Sequence, residues 1–207
     1  LSEKGYGICI GRPINNIDVC IIKISDDPIE TWSDGLEVSQ NDIGEIAVKG
    51  ALVSRQYFEN PGANAQMKIK QGDEIWHRMG DLGWMDQKGR IWFCGRKSHR
   101  VITDNRTLFT IPCEAIFNNH PKVFRSALVG VGSPMKQKPV ICIELKKEYL
   151  KANKKELSID LAALAARHEL TKTIETILFH GAFPVDIRHN SKIFREKLAA
   201  WAEQKLK

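Results

Sequence analysis

Residues 77–97, HRMGDLGWMDQKGRIWFCGRK, constrain this chain more than any other stretch. Gly83, Trp84 and Met85 lead into Asp86-Gln87-Lys88-Gly89, a turn signal. Ile91, Trp92, Phe93 and Cys94 then form an apolar, aromatic run, so the segment reads as a β-hairpin. Closing that hairpin brings Asp81 and Arg96 out near the same end. A carboxylate accepts two hydroxyl protons at once, which suits the vicinal diol of a ribose. A guanidinium grips the same sugar, or a neighbouring phosphate, through a fixed fork of donors. Spacing alone favours a surface Asp–Arg ion pair of little energetic value, because acid–hairpin–base patterns are common.

Composition narrows the remaining classes. The 207 residues are 43% hydrophobic and 27% charged, enough for one good core or two small ones. No apolar run approaches the roughly 18–20 residues needed to span a bilayer, and no signal peptide opens the chain. A soluble, cytoplasmic protein is therefore expected. Cys9, Cys20, Cys94, Cys113 and Cys142 are scattered in apolar segments, which suits reduced, buried thiols. Without a CxxC or HxxxH pair, no metal site is expected. The net charge of +6 invites a nucleic-acid reading through Arg96, Lys97, His99 and Arg100. The other lysines are interspersed with acids and no nucleic-acid signature is present, so a basic binding module stays a minor alternative.

In chain order, residues 17–25 read as a strand, 26–41 as a polar loop and 44–50 as a short strand between glycines. Residues 62–74 read as a short helix and loop. Residues 98–103 and 108–111 flank a turn as a second hairpin, and Pro112 opens a helix at its first position. Residues 125–131 and 139–145 read as buried strands joined by a glycine turn. Ser158 and Asp160 are the expected caps of a helix with Leu161, Leu164, Ala165 and His168 on one face. Residues 171–180 suggest another helix, with Ile174, Ile177 and Leu178 on one side. His168 and His180 read as edge-of-core residues, and Lys192 as the start of a last helix with Phe194, Leu198, Trp201 and Ala202 on one face.

Several of these segments, in this order, resemble the late motifs of the adenylate-forming superfamily of acyl- and aryl-CoA synthetases, luciferases and peptide-synthetase adenylation domains. The matching stretches are Gly44-Glu45-Ile46-Ala47-Val48-Lys49-Gly50, His77-Arg78-Met79-Gly80-Asp81-Leu82-Gly83, Asp86-Gln87-Lys88-Gly89, Gly95-Arg96, Ile111-Pro112-Cys113-Glu114 and the closing Lys192-Ile193-Phe194-Arg195. The resemblance implies an α+β chain. A small antiparallel β-barrel or sheet region ending the large domain (residues 1–97) would precede a mobile, compact α+β C-terminal domain (98–207). It implies that Asp81 and Arg96 bind the nucleotide, that Lys192 is catalytic, and that Ser98 stands at the hinge, where Asp or Lys is usual. ATP and Mg2+ would serve the full-length enzyme, with a small-molecule carboxylic acid as substrate.

The wording of residues 183–202, with WFCGRK and TIPCEAIFNNHP, is more specifically similar to the β-lactone synthetases of bacterial olefin biosynthesis. Those enzymes activate a long-chain β-hydroxy acid and close it to a β-lactone. The loop that carries a glycine in coenzyme A-using members lacks one here, between Arg96 and Glu114. This agrees with an internal hydroxyl replacing the thiol; a conventional acyl-CoA synthetase or other AMP-forming ligase is the alternative. The superfamily's phosphate loop has no equivalent here and Leu1 is not a methionine. The resemblance thus implies a C-terminal fragment, inactive alone, whose partner is the missing N-terminal domain of the same chain. No membrane span and no nucleic-acid partner are expected.

Overall fold

The computed structural model describes residues 1–186, 188 and 192–207. Asn190 and Ser191 of the closing motif lie outside the described residues. Two units are present: Gly7–Ser98, and Leu1–Tyr6 together with His99–Lys207.

In Gly7–Ser98 the period-two segments build a curled antiparallel sheet. Its elements are β1 (Ile8–Gly11), β2 (Ile17–Ile22), β3 (Gly44–Gly50), helix α1 (Pro61–Met67), β4 (Lys68–Gln71), β5 (Glu74–Met85) and β6 (Ile91–Arg96). The strands lie in the order β1-β6-β5-β3-β2, with β4 paired to β5. At 12 residues β5 is long enough to serve three partners, pairing with β3 along one edge and with β4 and then β6 along the other. Register shifts between Glu45 and Ala47 and between Leu82 and Gly83 bend the sheet. Gly83 permits the crossing, because a Cβ there would lie 2.6 Å from the Trp92 carbonyl oxygen. Apolar faces close on Ile22, Ala47, Ile69 and Trp76, with Trp32 stacked on Trp76 at 4.3 Å. Helix α1 starts as its sequence dictates: Asn60 Oδ1 accepts from Ala63 N at 3.0 Å and Pro61 takes the first turn.

The β5–β6 turn is closed by one carboxylate. Asp86 accepts hydrogen bonds from Lys88 N and Arg90 N at 2.9 Å, Arg90 Nε at 2.7 Å and Trp92 Nε1 at 3.1 Å. Burial pushes its pKa up, but the bonds from Arg90, Trp92 and Lys88 outweigh burial and hold it below the ordinary 3.8. A depressed folded-state pKa adds stability that is complete above the unfolded value and fades as pH falls through the folded one. Asp86→Asn should therefore unfold more easily than the parent at pH 7, with the gap narrowing below pH ~4. Chemical unfolding of both proteins at the two pH values checks this; a gap that does not change with pH would argue against it.

The other unit contains the ribbon β7 (Val101–Ile102) and β8 (Thr107–Leu108), then α2 (Thr110–Asn118), β9 (Val123–Val131), β10 (Lys138–Leu145), α3 (Lys154–Ala166), β11 (Thr176–Phe179) and α4 (Arg195–Leu206). A three-stranded sheet runs β11-β10-β9, antiparallel between β9 and β10 and parallel between β10 and β11. Alternation divides its side chains between two cores. Leu128, Ile141 and Ile143 pack with Cys113, Phe117, Leu157 and Leu161, whereas Ala127, Val129, Val140 and Cys142 pack with Phe183, Leu198 and Ala202. Covered on both faces, β10 reads as a continuous apolar run. Each fully buried Ile or Leu contributes roughly 1.5–3 kcal/mol, so Leu128, Ile141, Ile143, Leu157 and Leu161 set the register.

Several expectations are corrected here. Residues 176–179 are a strand where a helix was read; their spacing mimics a helical stripe, but they pair in register with Val140 to Ile143 of β10. Helix α3 starts at Lys154, capped by Asn153, so Ser158 and Asp160 are not caps. Ser158 Oγ instead donates to Lys154 O at 2.9 Å. Helix α2 begins at Thr110, placing Pro112 third, where a missing N–H still costs nothing. Helix α4 begins at Arg195, so Lys192 precedes it and no helix dipole acts on it as at a first turn. Leu1–Tyr6 group with the later unit: Asn119 Nδ2 donates to Glu3 O at 2.7 Å. Cys9 is exposed, whereas burial pushes the thiols of Cys94, Cys113 and Cys142 up to about 12. These three are inert packing groups.

Candidate nucleotide and lysine sites

Asp81 and Arg96 are register partners across β5 and β6. Each follows a glycine with positive φ, Gly80 at 66° and Gly95 at 121°, a conformation costly for any residue with a Cβ. In the antiparallel ladder Gly95 lies opposite Leu82, so the two glycines flank the Asp81–Arg96 pair, one on each side of it. Arg96 Nε lies 3.1 Å from Asp81 Oδ1, with Asp81 22% and Arg96 57% exposed at the side chain. The contact is close but poorly directed, and among the described residues Asp81 Oδ1 is buried without a hydrogen bond. Arg96 Nη1 instead donates to Met79 O at a long 3.4 Å. Burial pushes the Asp81 pKa up, Arg96 pulls it down, and Glu45 pushes it up again. The pair is thus a carboxylate with unspent acceptor capacity beside a largely exposed fork of donors.

Behind it lies a cluster the sequence reading left without a role. Arg78, 1% exposed, pairs with the fully buried Glu45 through Nε at 3.1 Å and Nη2 at 2.7 Å. Its Nη1 donates to Asp27 O and Gln66 O at 3.0 Å, and Nη2 donates to Ser25 O. Lys97 Nζ reaches Glu45 Oε2 at 3.2 Å and Ser25 O at 2.9 Å. Arg78 and Glu45 each stand in a recognised motif, and that was the available signal. Their pairing was invisible because they are 33 residues apart. Of the basic patch, Arg96 lies beside Asp81 and Lys97 is tied to Glu45. Ser98, the expected hinge, ends this unit.

A cavity of about 600 Å³ in the same unit is lined by Arg55, Lys68 and Lys70 among others, and does not include Asp81 or Arg96. Among the described residues no group of three or more His, Cys, Asp or Glu side chains could hold a metal. No helix among them is long and apolar enough to cross a membrane.

Lys192 is exposed in the other unit. Its carbonyl accepts from Asp186 N at 3.0 Å, Val185 and Ile193 form an antiparallel bridge, and Phe194 N donates to Pro184 O at 2.9 Å. Glu114 of α2 meets Arg195, three residues beyond Lys192, through both oxygens at 2.5 and 3.0 Å. Burial pushes the Glu114 pKa up, while Arg195 and the Leu128 N–H pull it down. In the β7–β8 turn, Thr103 Oγ1 bonds Arg106 O at 2.9 Å, and Arg106 Nη1 donates to Glu169 O at 2.9 Å. His180 packs edge-on against Phe183 and Trp201, as a core-edge residue does.

No family model matches the chain. An olefin β-lactone synthetase of Xanthomonas campestris pv. campestris is 44% identical over 98% of this chain, and the chain spans 37% of that protein's length. A 2-succinylbenzoate–CoA ligase of Geobacillus kaustophilus is 31% identical over 58% of the chain and 22% of its own length. Among solved structures, an ATP-bound RpMatB-BxBclM chimera superposes with a TM-score of 0.77 at 22% identity, over 96% of this chain and 37% of the other. At that identity the likeness speaks for the fold, which is the α+β arrangement of the C-terminal part of such ligases.

Proposed function

Because this chain belongs to the adenylate-forming ligases, we propose that it is the nucleotide-closing, C-terminal part of an enzyme that activates a carboxylic acid with ATP as an acyl-adenylate. The observation that carries this reading is the Asp81–Arg96 pair, with a carboxylate oxygen left without a hydrogen bond. Two adjacent hydroxyls of an ATP ribose donate to the exposed part of the Asp81 carboxylate, and Arg96 steadies the sugar or the phosphate beside it. Lys192 serves the adenylation step by bridging the substrate carboxylate and the α-phosphate as pyrophosphate leaves. Ser98 is the swivel. Mg2+ accompanies the triphosphate, and no residue of this chain is assigned to it.

The substrate we propose is a long-chain β-hydroxy acid, closed to a β-lactone when its own hydroxyl displaces AMP from the acyl carbon. Kinship with an olefin β-lactone synthetase over 98% of the chain supports this. So does the β7–β8 turn, which carries no glycine and whose Arg106 is tied to Glu169 O. A conventional acyl-CoA ligase is the second reading, favoured by the kinship with a CoA ligase.

The test uses the full-length enzyme with ATP, magnesium and a long-chain β-hydroxy acid, with and without coenzyme A. A β-lactone formed without the thiol is the expected product. An acyl-CoA appearing only when the thiol is added would sink the lactone reading and leave the adenylation reading intact. The chain alone should show no acid-dependent ATP–pyrophosphate exchange, since the phosphate loop belongs to the remainder of the enzyme.

A further inference from the structure

Lys192 is an exposed, flexible side chain, yet the backbone that carries it is held at both ends by buried charge. At the exit, Glu114 is 5% exposed and takes both Nη atoms of Arg195 in a fork-to-fork pair. The same carboxylate accepts from Leu128 N at 2.8 Å, and Arg195 Nη1 also reaches Leu128 O at 3.3 Å. Helix α2, strand β9 and the residue three past Lys192 are thereby tied in one knot. At the entry, Glu144 Oε2 accepts from Phe183 N at 2.9 Å and from Arg125 Nε at 2.7 Å. The Arg125 guanidinium also lies 5.3 Å from the Phe183 ring centroid. Between the two anchors, Phe194 N donates to Pro184 O at 2.9 Å and Asp186 N donates to Lys192 O at 3.0 Å.

We propose that the Glu114–Arg195 pair, supported by Arg125–Glu144 at the other end, is a clamp that positions Lys192 for the adenylation step. The inference rests on the reading of Lys192 as the adenylation lysine. A buried ion pair is a poor stabiliser compared with apolar packing of similar volume. Geometry is what such a pair adds: it fixes an angle and a register that Leu or Met would leave loose. The peptide of Lys192 needs that, because its side chain already has several rotamers to lose. Glu114 and Arg195 touch no substrate; they are positioning residues.

In the full-length enzyme, Arg195→Met should lower the maximal rate of acid-dependent ATP–pyrophosphate exchange roughly 10²-fold, the scale of a misplacement near 1 Å. The KM for ATP should stay within about threefold, because the ribose contacts are untouched and uniform binding is retained. Arg195→Lys should recover part of the rate, since an ammonium reaches one carboxylate oxygen but cannot span two. Should Arg195→Met fold poorly, the double variant Glu114→Leu/Arg195→Met removes both charges and should be stable but equally slow. A folded single or double variant exchanging at the parental rate, while Lys192→Ala is slow, would overturn the clamp alone. A Lys192→Ala enzyme with unchanged exchange would instead remove the lysine's role, and the clamp with it.

Discussion

Lys192→Ala in the full-length enzyme should slow acid-dependent ATP–pyrophosphate exchange roughly 10²–10³-fold, the range for losing one preorganised electrostatic stabiliser. The charge that develops as pyrophosphate leaves sits on phosphate oxygens, and an ammonium held against them is worth far more than one in open water. The backbone of this residue is hydrogen-bonded to Asp186 N, while its side chain is exposed. Truncation therefore removes a charge without opening a core, and stability should change by less than about 0.5 kcal/mol. Exchange kinetics and thermal unfolding, run on the same preparation, separate the two effects. Parental exchange rates would exclude the lysine from the step; a large loss of melting temperature would move it into the structural class.

The largest stability effect is expected at Arg78. Arg78→Met leaves the fully buried Glu45 with Lys97 as its remaining cation and strips donors from the carbonyls of Ser25, Asp27 and Gln66. Breaking a buried pair from one side costs about 3–5 kcal/mol, because an uncompensated charge stays behind. Lys97 offsets part of this, so the lower half of that range is the expected value. Arg78→Met combined with Glu45→Leu should recover much of it, since no buried carboxylate is left unpaired. Urea unfolding of the purified chain measures both. A single-variant loss under about 1 kcal/mol would mean that water, rather than Arg78, satisfies Glu45.

The β5–β6 hairpin and its Asp81–Arg96 pair were legible because every determinant is local. A turn residue that accepts four hydrogen bonds, three glycines with positive φ and an apolar, aromatic strand lie within one short stretch. Strands β9 and β10 were legible for a related reason, since the apolar runs 127–131 and 140–143 within them suit burial on both faces. The motif order, likewise, is a property of the letters and carried the family kinship.

Other features were not available from local pattern. Residues 174, 177 and 178 satisfy helical spacing as well as strand burial; only the pairing available along β10 made Thr176–Phe179 a strand. Asn153 outcompeted Ser158 as a cap because Leu157 is also buried, so the helix had to begin a turn earlier. The Glu114–Arg195 knot joins residues 81 apart, and the Arg78–Glu45 pair joins residues 33 apart. By itself the sequence determined the hairpin, the meeting of Asp81 with Arg96 and the family, because hydrogen-bonded turns, glycine conformations and side-chain chemistry act over a few residues. The tertiary structure alone decided which buried charges meet, since a desolvated carboxylate takes whichever cation the packed chain brings to it.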